Sequence, residues 1–424
     1  MKKLCLTALA LIALLVFTAG PSWAGNIDKL IDKLVEKKIL TKSEATELIN
    51  EMQAEEAKEK KEVASKQAPK GFDLPKWVEN TKVKGDIRVR YENQDTQGDI
   101  YPNQNRGRVR LRLGAETKVN EQWVVGVGLA TGSDGNPRSV DQTFTNNSSS
   151  KDIWLDYAFA QFTPAAWASI VAGKFKNPLW NPEQLMWDGD INPEGIAAKL
   201  KYEPVKGVEI FGNIGWLMLD ESGTTSNDPY LIAFQPGVNL NLPGGMYLKA
   251  AGTYYNFNYV DGKNWATSDF GAGLSKNSNS QDGAGNWIYD YDSLAGDVEF
   301  GMTKIPGPIP YAAVFAQYVH ALDAHNDNDG WLAGFKFGDK SIKDFGDWQV
   351  KYNYRRLERD AWPDFLPCST AYNGTTNIKG HNAFAGFGIY KNVFLSLTYW
   401  NYRHLQRTED DRQNVLQADL NVKF

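Results

Sequence analysis

The chain has 424 residues, of which 46 are lysine or arginine and 51 are aspartate or glutamate, so its formal net charge is −5. This mild acidity argues against nucleic acid as a partner, because surfaces that bind nucleic acid are basic. After the N-terminal segment, no apolar run reaches the length of about 18 residues that a membrane-spanning helix needs, so such a helix is excluded.

The first residues predict a cleavable secretory signal. Lys2 and Lys3 precede an apolar run from Leu6 to Phe17, and Ser22-Trp23-Ala24 provides a small-residue exit. This order of a basic start, an apolar centre and small residues at the end is typical of signal peptides. We therefore assign residues 1–24 to a signal peptide and expect the protein to leave the cytoplasm.

Removal of the signal changes the charge and the cysteine content. Two lysines leave with it, which moves the formal charge from −5 to about −7. Cys5 leaves as well, and Cys368 alone cannot form a disulfide within one chain. Three classes of exported protein fit the 38 glycines and the many aromatic residues: a soluble all-β protein, a periplasmic binding protein and an outer-membrane barrel.

The segment from Gly25 to about Lys76 is rich in lysine and glutamate and is predicted to be helical. Apolar residues recur at helical spacing from Ile27 to Val35, and Thr41-Lys-Ser-Glu44 is a capping box for a second helix. We expect a short periplasmic helical hairpin or coiled coil that ends in a charged linker. Two interpretations stay open: the segment serves oligomerisation or contacts peptidoglycan, or it is a poorly ordered spacer.

From Lys82 to Phe424 the apolar residues recur with period two, which predicts β-strands. Val83, Ile87 and Val89 alternate with charged residues, and later runs behave in the same way. Sixteen such runs can be counted, so residues 77–424 are assigned to a single all-β domain. The runs begin near residues 82, 106, 123, 153, 169, 195, 208, 229, 246, 290, 311, 330, 347, 380, 393 and 414.

The connections between these runs carry a second signal. Those after even-numbered strands are compact turns such as Pro243-Gly-Gly245, and those after odd-numbered strands are extended and polar, as from Asp360 to Lys379. We expect this alternation to be strict. A barrel inserted from one side of a membrane has short periplasmic turns and long outward loops, whereas a sandwich has no reason to sort its loops. The sequence therefore predicts an all-β fold, a 16-stranded antiparallel transmembrane β-barrel.

The stretch RGRVRLRLGAE places an arginine at every second position, with apolar residues between them. In a bilayer every backbone polar group must pair within the protein, so Val109, Leu111 and Leu113 should face lipid and the arginines should face the lumen. Unpaired guanidinium groups need water there, and a cylinder of about sixteen strands is wide enough to hold it. The predicted pore-lining residues are Lys84, Arg88, Arg90, Arg108, Arg110 and Arg112.

Together these features resemble the Gram-negative outer-membrane porins. They are the signal peptide, the helical segment, the arginine-rich second strand, the sixteen alternating runs and the closing LQADLNVKF, which ends in Phe424. The resemblance covers nearly the whole chain and is strongest to porins that begin with a periplasmic coiled segment; it extends more distantly to the phosphate-selective type. It implies an integral protein of the bacterial outer membrane, a homotrimer in outer-membrane lipid, and a terminal Phe424 that the barrel assembly machinery reads.

The resemblance also implies that the third outer loop folds inward and narrows the channel. Here that loop would run from Lys176 to Glu194, and its acids Glu183, Asp188, Asp190 and Glu194 would face the arginines across the narrowest water. A transverse field would then select permeating solutes. The alternative is that these acids cap turns and the arginines pair with carboxylates of the wall. The sign of selectivity stays open, with a slight lean toward anionic solutes.

Candidates for catalysis are few. The chain has four histidines and no CxxCH or HExxH motif, so we predict no catalytic residue, no metal and no cofactor. The predicted function is passive diffusion of small hydrophilic solutes or ions through a water-filled channel. Three alternatives stay open: a barrel sheath around a partner multihaem cytochrome, an outer-membrane hydrolase that uses His381, and a soluble β protein.

Overall fold

The computed structural model describes residues 76–99, 102–133, 136–221, 223, 227–266, 275–303, 305, 307, 309–407 and 411–424. The predicted signal peptide and all but the last residue of the predicted helical segment lie outside the described residues. The first described element is a short helix, α1, at Lys76–Glu79. Among the described residues, no helix combines the length and the apolar character that crossing a bilayer would demand.

Within the described residues, sixteen long strands form one closed antiparallel sheet. Each strand pairs with the next along the chain, and β1 closes the cylinder by pairing with β16. The strands are β1 Thr81–Thr96, β2 Gln104–Lys118, β3 Trp123–Thr131, β4 Ile153–Ala165, β5 Ala168–Lys174, β6 Glu194–Val205, β7 Val208–Met218, β8 Tyr230–Asn241, β9 Met246–Asn258, β10 Ser293–Thr303, β11 Tyr311–Ala321, β12 Asp329–Gly338, β13 Trp348–Leu357, β14 Ile378–Tyr390, β15 Val393–His404 and β16 Gln413–Lys423.

The predicted barrel is confirmed strand by strand. The largest error in a strand start is at β10, which begins at Ser293 against the expected 290. The agreement arises because alternation is a local property: successive side chains of a strand point to opposite faces, and only one face of a transmembrane barrel is apolar.

The outer face of the barrel carries the apolar side chains. Val89 and Val109 lie opposite each other in the β1–β2 ladder, and Val89 is 44% exposed. Leu113, on the same face, is 42% exposed. On the inner face of the same strands, Arg90 is only 8% exposed. A surface that exposes so many large apolar side chains is suited to hydrocarbon rather than to water.

The connections differ from the prediction in one respect. All those after even-numbered strands are short, and this rim is here called the turn end; the other rim is the loop end. At the loop end, connections 97–103 and 322–328 have seven residues each, fewer than the nine of turn 339–347. The predicted strict alternation of short and long connections is therefore wrong. Four of the longer loops enter the lumen with residues that the structure describes.

Those four are loop 2 (132–152), loop 3 (175–193), loop 5 (259–292) and loop 7 (358–377). Loops 3, 5 and 7 build a hydrophobic core inside the barrel. The Phe365 ring stacks on Trp265 and Trp287, with centroids 4.7 and 5.5 Å apart, and Trp362 packs edge-on against Tyr255 of the wall at 4.8 Å. Because each buried aromatic ring removes about 150–250 Å² from water, this core fixes the loops within the lumen.

This loop core was not predicted. The loops were expected to be polar, and the sequence signal against that expectation was the recurrence of tryptophan in them. Trp187, Trp265, Trp287 and Trp362 are each at most 5% exposed. The lumen is therefore divided into an apolar sector beside β8–β11 and a polar sector beside β1 and β2.

Candidate functional site

A polar cavity of about 960 Å³ occupies the lumen toward the loop end. We call it the outer cavity. Its walls come from β1, β2 and β13–β16 and from loops 2, 3 and 7, and its charged lining includes Arg88, Arg90, Arg108, Arg138, Asp141 and Lys351. Its polar lining can remain hydrated.

The arginines of β1 and β2 form a paired wall, here called the arginine wall: Arg88, Arg90, Arg106, Arg108, Arg110 and Arg112. Arg90 donates from Nε and Nη2 to the two carboxylate oxygens of Asp419, at 2.7 and 2.8 Å. Arg106 and Arg108 both donate to Glu92, at 2.6 and 3.4 Å. Arg88 pairs with Asp141, Arg110 with Asp86 and Arg112 with Asp190.

Charge within the arginine wall is nearly balanced. Six arginines face five carboxylates, those of Asp86, Glu92, Asp141, Asp190 and Asp419, so the formal excess is one positive charge. Burial opposes ionisation of Asp141 in loop 2, yet the neighbouring Arg88, Arg90 and Arg108 lower its pKa to about 2. These contacts correspond to the alternative weighed from the sequence, in which wall carboxylates pair with the arginines.

Three of the four acids predicted for the constriction lie in loop 3 and line the outer cavity: Glu183, Asp188 and Asp190. Glu183 pairs with Lys351 and Asp190 pairs with Arg112. The predicted separation of acids and arginines by water is thus replaced, at Asp190, by direct contact. Loop 3 is bound to the arginine wall through this pair.

Glu194 differs from the prediction because it is the first residue of β6, not part of loop 3. Its carboxylate accepts a hydrogen bond from Lys174 Nζ at 2.8 Å, and its side chain is 63% exposed. Loop 3 ends one residue earlier than expected, since the β5–β6 ladder extends to the Lys174–Glu194 pair.

Asp188 is buried at the junction of loops 3 and 7. Its backbone N–H donates to the Leu366 carbonyl and its carboxylate accepts the Ser369 N–H, both at 2.7 Å. Burial, together with the nearby charge of Asp190, raises the pKa of Asp188 to about 6, although the hydrogen bonds from Ser369 and Asp190 act in the opposite direction. This group therefore changes charge within the range of pH that a bacterium encounters.

Lys84, Arg110 and Arg112 face the lumen but do not line the outer cavity. Lys84 pairs with Glu116 close to the turn end. Phe424 continues the seam where the barrel closes: its N–H donates to the Gly85 carbonyl at 3.0 Å, and the Gly85 N–H donates to its carbonyl at 2.8 Å. The Phe424 side chain is 57% exposed.

A second cavity, of about 580 Å³, lies on the other side of loop 3 and reaches toward the turn end. We call it the inner cavity. Its charged lining is Lys199, Lys201, Lys249 and Glu209. Sequence reasoning missed these lysines, although a signal was present: Lys199 and Lys201 alternate with Leu200 and Tyr202, as the arginines alternate with apolar residues on β2.

The three lysines of the inner cavity form no ion pair within 4.0 Å with any residue that the structure describes. Lys249 instead places its ammonium 4.5 Å from the centroid of the Trp180 ring and 5.0 Å from that of Phe211. An aromatic face attracts a cation without neutralising its charge. The inner cavity therefore keeps an excess of two positive charges, three lysines against one glutamate.

In the parts of the chain that the structure describes, no group of three potential metal ligands occurs. His381 lies on the outer face of β14. There its Nδ1 is 2.6 Å from the Tyr352 hydroxyl, and its ring contacts that of Tyr354. In these contacts His381 packs between two tyrosines of β13.

Comparison with solved structures finds similarity to proteins of several bacteria. Salmonella typhi OmpF, in complex with daunomycin, is 13% identical, with a TM-score of 0.46 over 81% of this chain and 97% of that one. The trimer form of OmpT from Vibrio cholerae is 11% identical, with a TM-score of 0.44 over 81% and 99%. Pseudomonas aeruginosa OccK3 is 12% identical, with a TM-score of 0.42 over 82% and 96%.

No curated protein matches the sequence. A family model described as "Putative porin" does match, over residues 96–286 and 281–424. These ranges include all but the first strand of the barrel, whose closed form and apolar outer face are those of an integral outer-membrane protein. The chain belongs to this porin family.

Proposed function

We propose that the protein is a passive, water-filled diffusion channel for small hydrophilic solutes or ions, with no catalytic cycle and a slight preference for anions. The outer cavity carries this proposal. Its charged lining remains stable only in contact with water, because guanidinium and carboxylate groups are costly to bury dry even when they are paired.

The loop core determines how wide the path is. Loops 3, 5 and 7 fill the sector of the lumen beside β8–β11, which leaves the polar sector beside β1 and β2 for solutes. A path bounded on one side by fixed loops and on the other by a charged wall selects by size first and by charge second. The same core argues against a cytochrome sheath, since a bound cytochrome would need the space that the loops occupy.

A weak anion preference agrees with the charges of the lumen. The arginine wall has an excess of one positive charge and the inner cavity an excess of two. The net acidity of the whole chain acts at the mouths and in the opposite direction. We therefore expect the preference to be small in concentrated salt, where exposed charges are screened.

The assembly proposed for the channel is a homotrimer in outer-membrane lipid. The V. cholerae relative was solved in a trimer form. The exposed Phe424 at the closing seam fits recognition by the barrel assembly machinery, and the N-terminal segment would contact peptidoglycan from the periplasm. Cross-linking in outer-membrane vesicles tests the trimer directly: a ladder that stops at the dimer would contradict it.

Single-channel recording in planar bilayers tests the function. The mature protein should produce stepwise conductance in potassium chloride, and a tenfold salt gradient should give a reversal potential of the sign for chloride. A folded barrel that inserts into bilayers without conductance would refute a diffusion channel. Co-purification of a haem protein would favour the cytochrome sheath, and an activity lost in His381→Ala would favour a hydrolase.

A further inference from the structure

The three lysines of the inner cavity lie on its wall without a carboxylate partner among the described residues. Lys199 and Lys201 come from β6 and Lys249 comes from β9. Lys174, Lys336 and Lys351, in contrast, pair with Glu194, Glu299 and Glu183. Unpaired ammonium groups that line one cavity are a ready site for anions.

Loop 3 contributes Trp180 to this site. The backbone N–H and carbonyl of Trp180 are both hydrogen-bonded to one side chain. The Trp180 N–H donates to Gln235 Oε1 at 2.7 Å, and Gln235 Nε2 donates to the Trp180 carbonyl at 3.0 Å. Gln235 is fully buried, and its amide is oriented further by Asn213 and Thr253. The Trp180 ring is therefore fixed above Lys249 and does not depend on a flexible loop tip.

The position of the Phe211 ring depends on the absence of a side chain at Gly237. A Cβ atom on Gly237, the residue paired with Phe211 in the β7–β8 ladder, would lie 2.2 Å from the tip of the Phe211 ring. The ring therefore lies across the space that a side chain on β8 would fill, and its face reaches Lys249. Two rings thus hold the ammonium in place, and its full charge remains available to a solute.

The spacing of the lysines favours a ligand with separated charges. β6 and β9 are three strand spacings apart, or about 14 Å along the wall. Two positive regions thus face one cavity from different sides, and the single acid, Glu209, lies on β7 between them. Because the lysine side chains extend from both strands into the same cavity, the two carboxylates of a small dicarboxylate can pair with lysines of both regions, whereas a monocarboxylate pairs with only one.

We infer that the inner cavity is a binding site for small dicarboxylates on their passage through the channel, with Lys249 on one side and Lys199 and Lys201 on the other. The inference rests on the proposed channel function and specifies its solute class. A short-lived site of this kind raises the local concentration of the solute within the channel.

The test is the block of potassium chloride current by glutarate, with butyrate as the monoanion and maltose as the neutral solute. Glutarate should reduce the current at concentrations about tenfold lower than butyrate, because one further charge pair is made. Lys249→Gln and the double variant Lys199→Gln/Lys201→Gln should each raise the half-blocking glutarate concentration by about tenfold. Lys118→Gln, at the exposed end of β2, removes the same charge and should leave the half-blocking concentration unchanged.

Phe211→Leu tests the positioning of the ammonium without changing any charge. It should raise the half-blocking glutarate concentration by about threefold, in line with the loss of one cation–π contact, and should leave the maltose block as it is. Equal block of wild type and Lys249→Gln by glutarate, or equal block by glutarate and butyrate, would overturn the inference.

The outcomes separate this inference from the proposed function. Normal conductance with no effect of the lysine variants on glutarate would reject the site and keep the channel. Absence of conductance would reject the channel, and calorimetric titration of glutarate into the detergent-solubilised wild type and Lys249→Gln would still decide on the site.

Discussion

The arginine wall and the inner cavity begin from the same sequence pattern and reach opposite electrostatic states. On β2, arginines alternate with apolar residues, and on β6 two lysines do so. The arginines meet carboxylates from β1, β16 and loops 2 and 3, whereas the lysines meet none in the described structure. An inward-facing cation therefore indicates which face of a strand lines the lumen. Whether that cation can attract a solute depends on its ion-pair partners.

Loop 3 lies between the two cavities, and Trp362 is the residue whose removal should loosen it most. Its Nε1 donates to the Met186 carbonyl of loop 3 at 2.8 Å, and its ring is fully buried. Trp362→Ala should cost about 3–5 kcal/mol of unfolding free energy and should raise single-channel conductance as loop 3 loosens. Trp77→Ala, at a side chain of α1 that is 59% exposed, is the control. Unchanged conductance would contradict the role assigned to the loop core.

Removing a carboxylate from the arginine wall should increase its positive excess. In Asp419→Asn, Arg90 loses its bidentate partner and keeps only the more distant carboxylates of Asp141, at 3.4 Å, and Glu92, at 3.9 Å. The unfolding free energy, measured by denaturant titration in detergent, should fall by about 2 kcal/mol, since a buried guanidinium loses its hydrogen bonds to a carboxylate. Anion preference should rise at the same time. Glu121→Gln, on an exposed turn, should change neither quantity.

Two variants test whether ion pairing cancels the electrostatic field of the arginines. Arg110→Gln leaves Asp86 without its partner and should shift the reversal potential toward cations. The double variant Arg110→Gln/Asp86→Asn removes both charges and should restore a reversal potential close to that of wild type. If both variants behave alike, Arg110 acts on solutes as a free charge, and the distinction between the two regions is lost.

The smallest expected effect concerns pH. Because burial raises the pKa of Asp188 to about 6, the carboxyl loses its charge as pH falls through 6, and anion preference should rise slightly. Asp190 in loop 3, Arg138 in loop 2 and Cys368 in loop 7 also face it. Recording between pH 7.5 and 5 should show the change in wild type and not in Asp188→Asn. A change that persists in the variant would assign it to another group.

The same group has a consequence for stability. A carboxyl whose pKa is raised in the folded state binds a proton more readily when folded than when unfolded. Its contribution to stability is therefore greatest below its ordinary pKa of 3.8 and is lost as pH rises toward 6. Asp188→Asn should remove this slope from the unfolding free energy, which denaturant titration at pH 4, 5 and 6 can measure.

Much of the fold could be predicted from the sequence, and rather less of the site. Val109 and Leu113 were assigned to the lipid face because alternation is read from neighbours in the chain. The partner of Arg90 could not be found in this way, because Asp419 lies 329 residues further on and meets it only when the barrel closes. The inward path of loop 5 was missed for a similar reason. Trp265 and Trp287 of loop 5 stack on Phe365, which belongs to loop 7 and lies far away in the chain.

The sequence by itself determined the number of strands, their faces and the closure of the barrel, because a membrane leaves a period-two chain no other way to pair its backbone. Tertiary structure alone decided which lumen charges are paired and which are free, and which sector of the lumen the loops fill. The physical reason is that alternation acts between adjacent residues, whereas charge pairing and ring stacking depend on distances between strands and loops far apart in the chain.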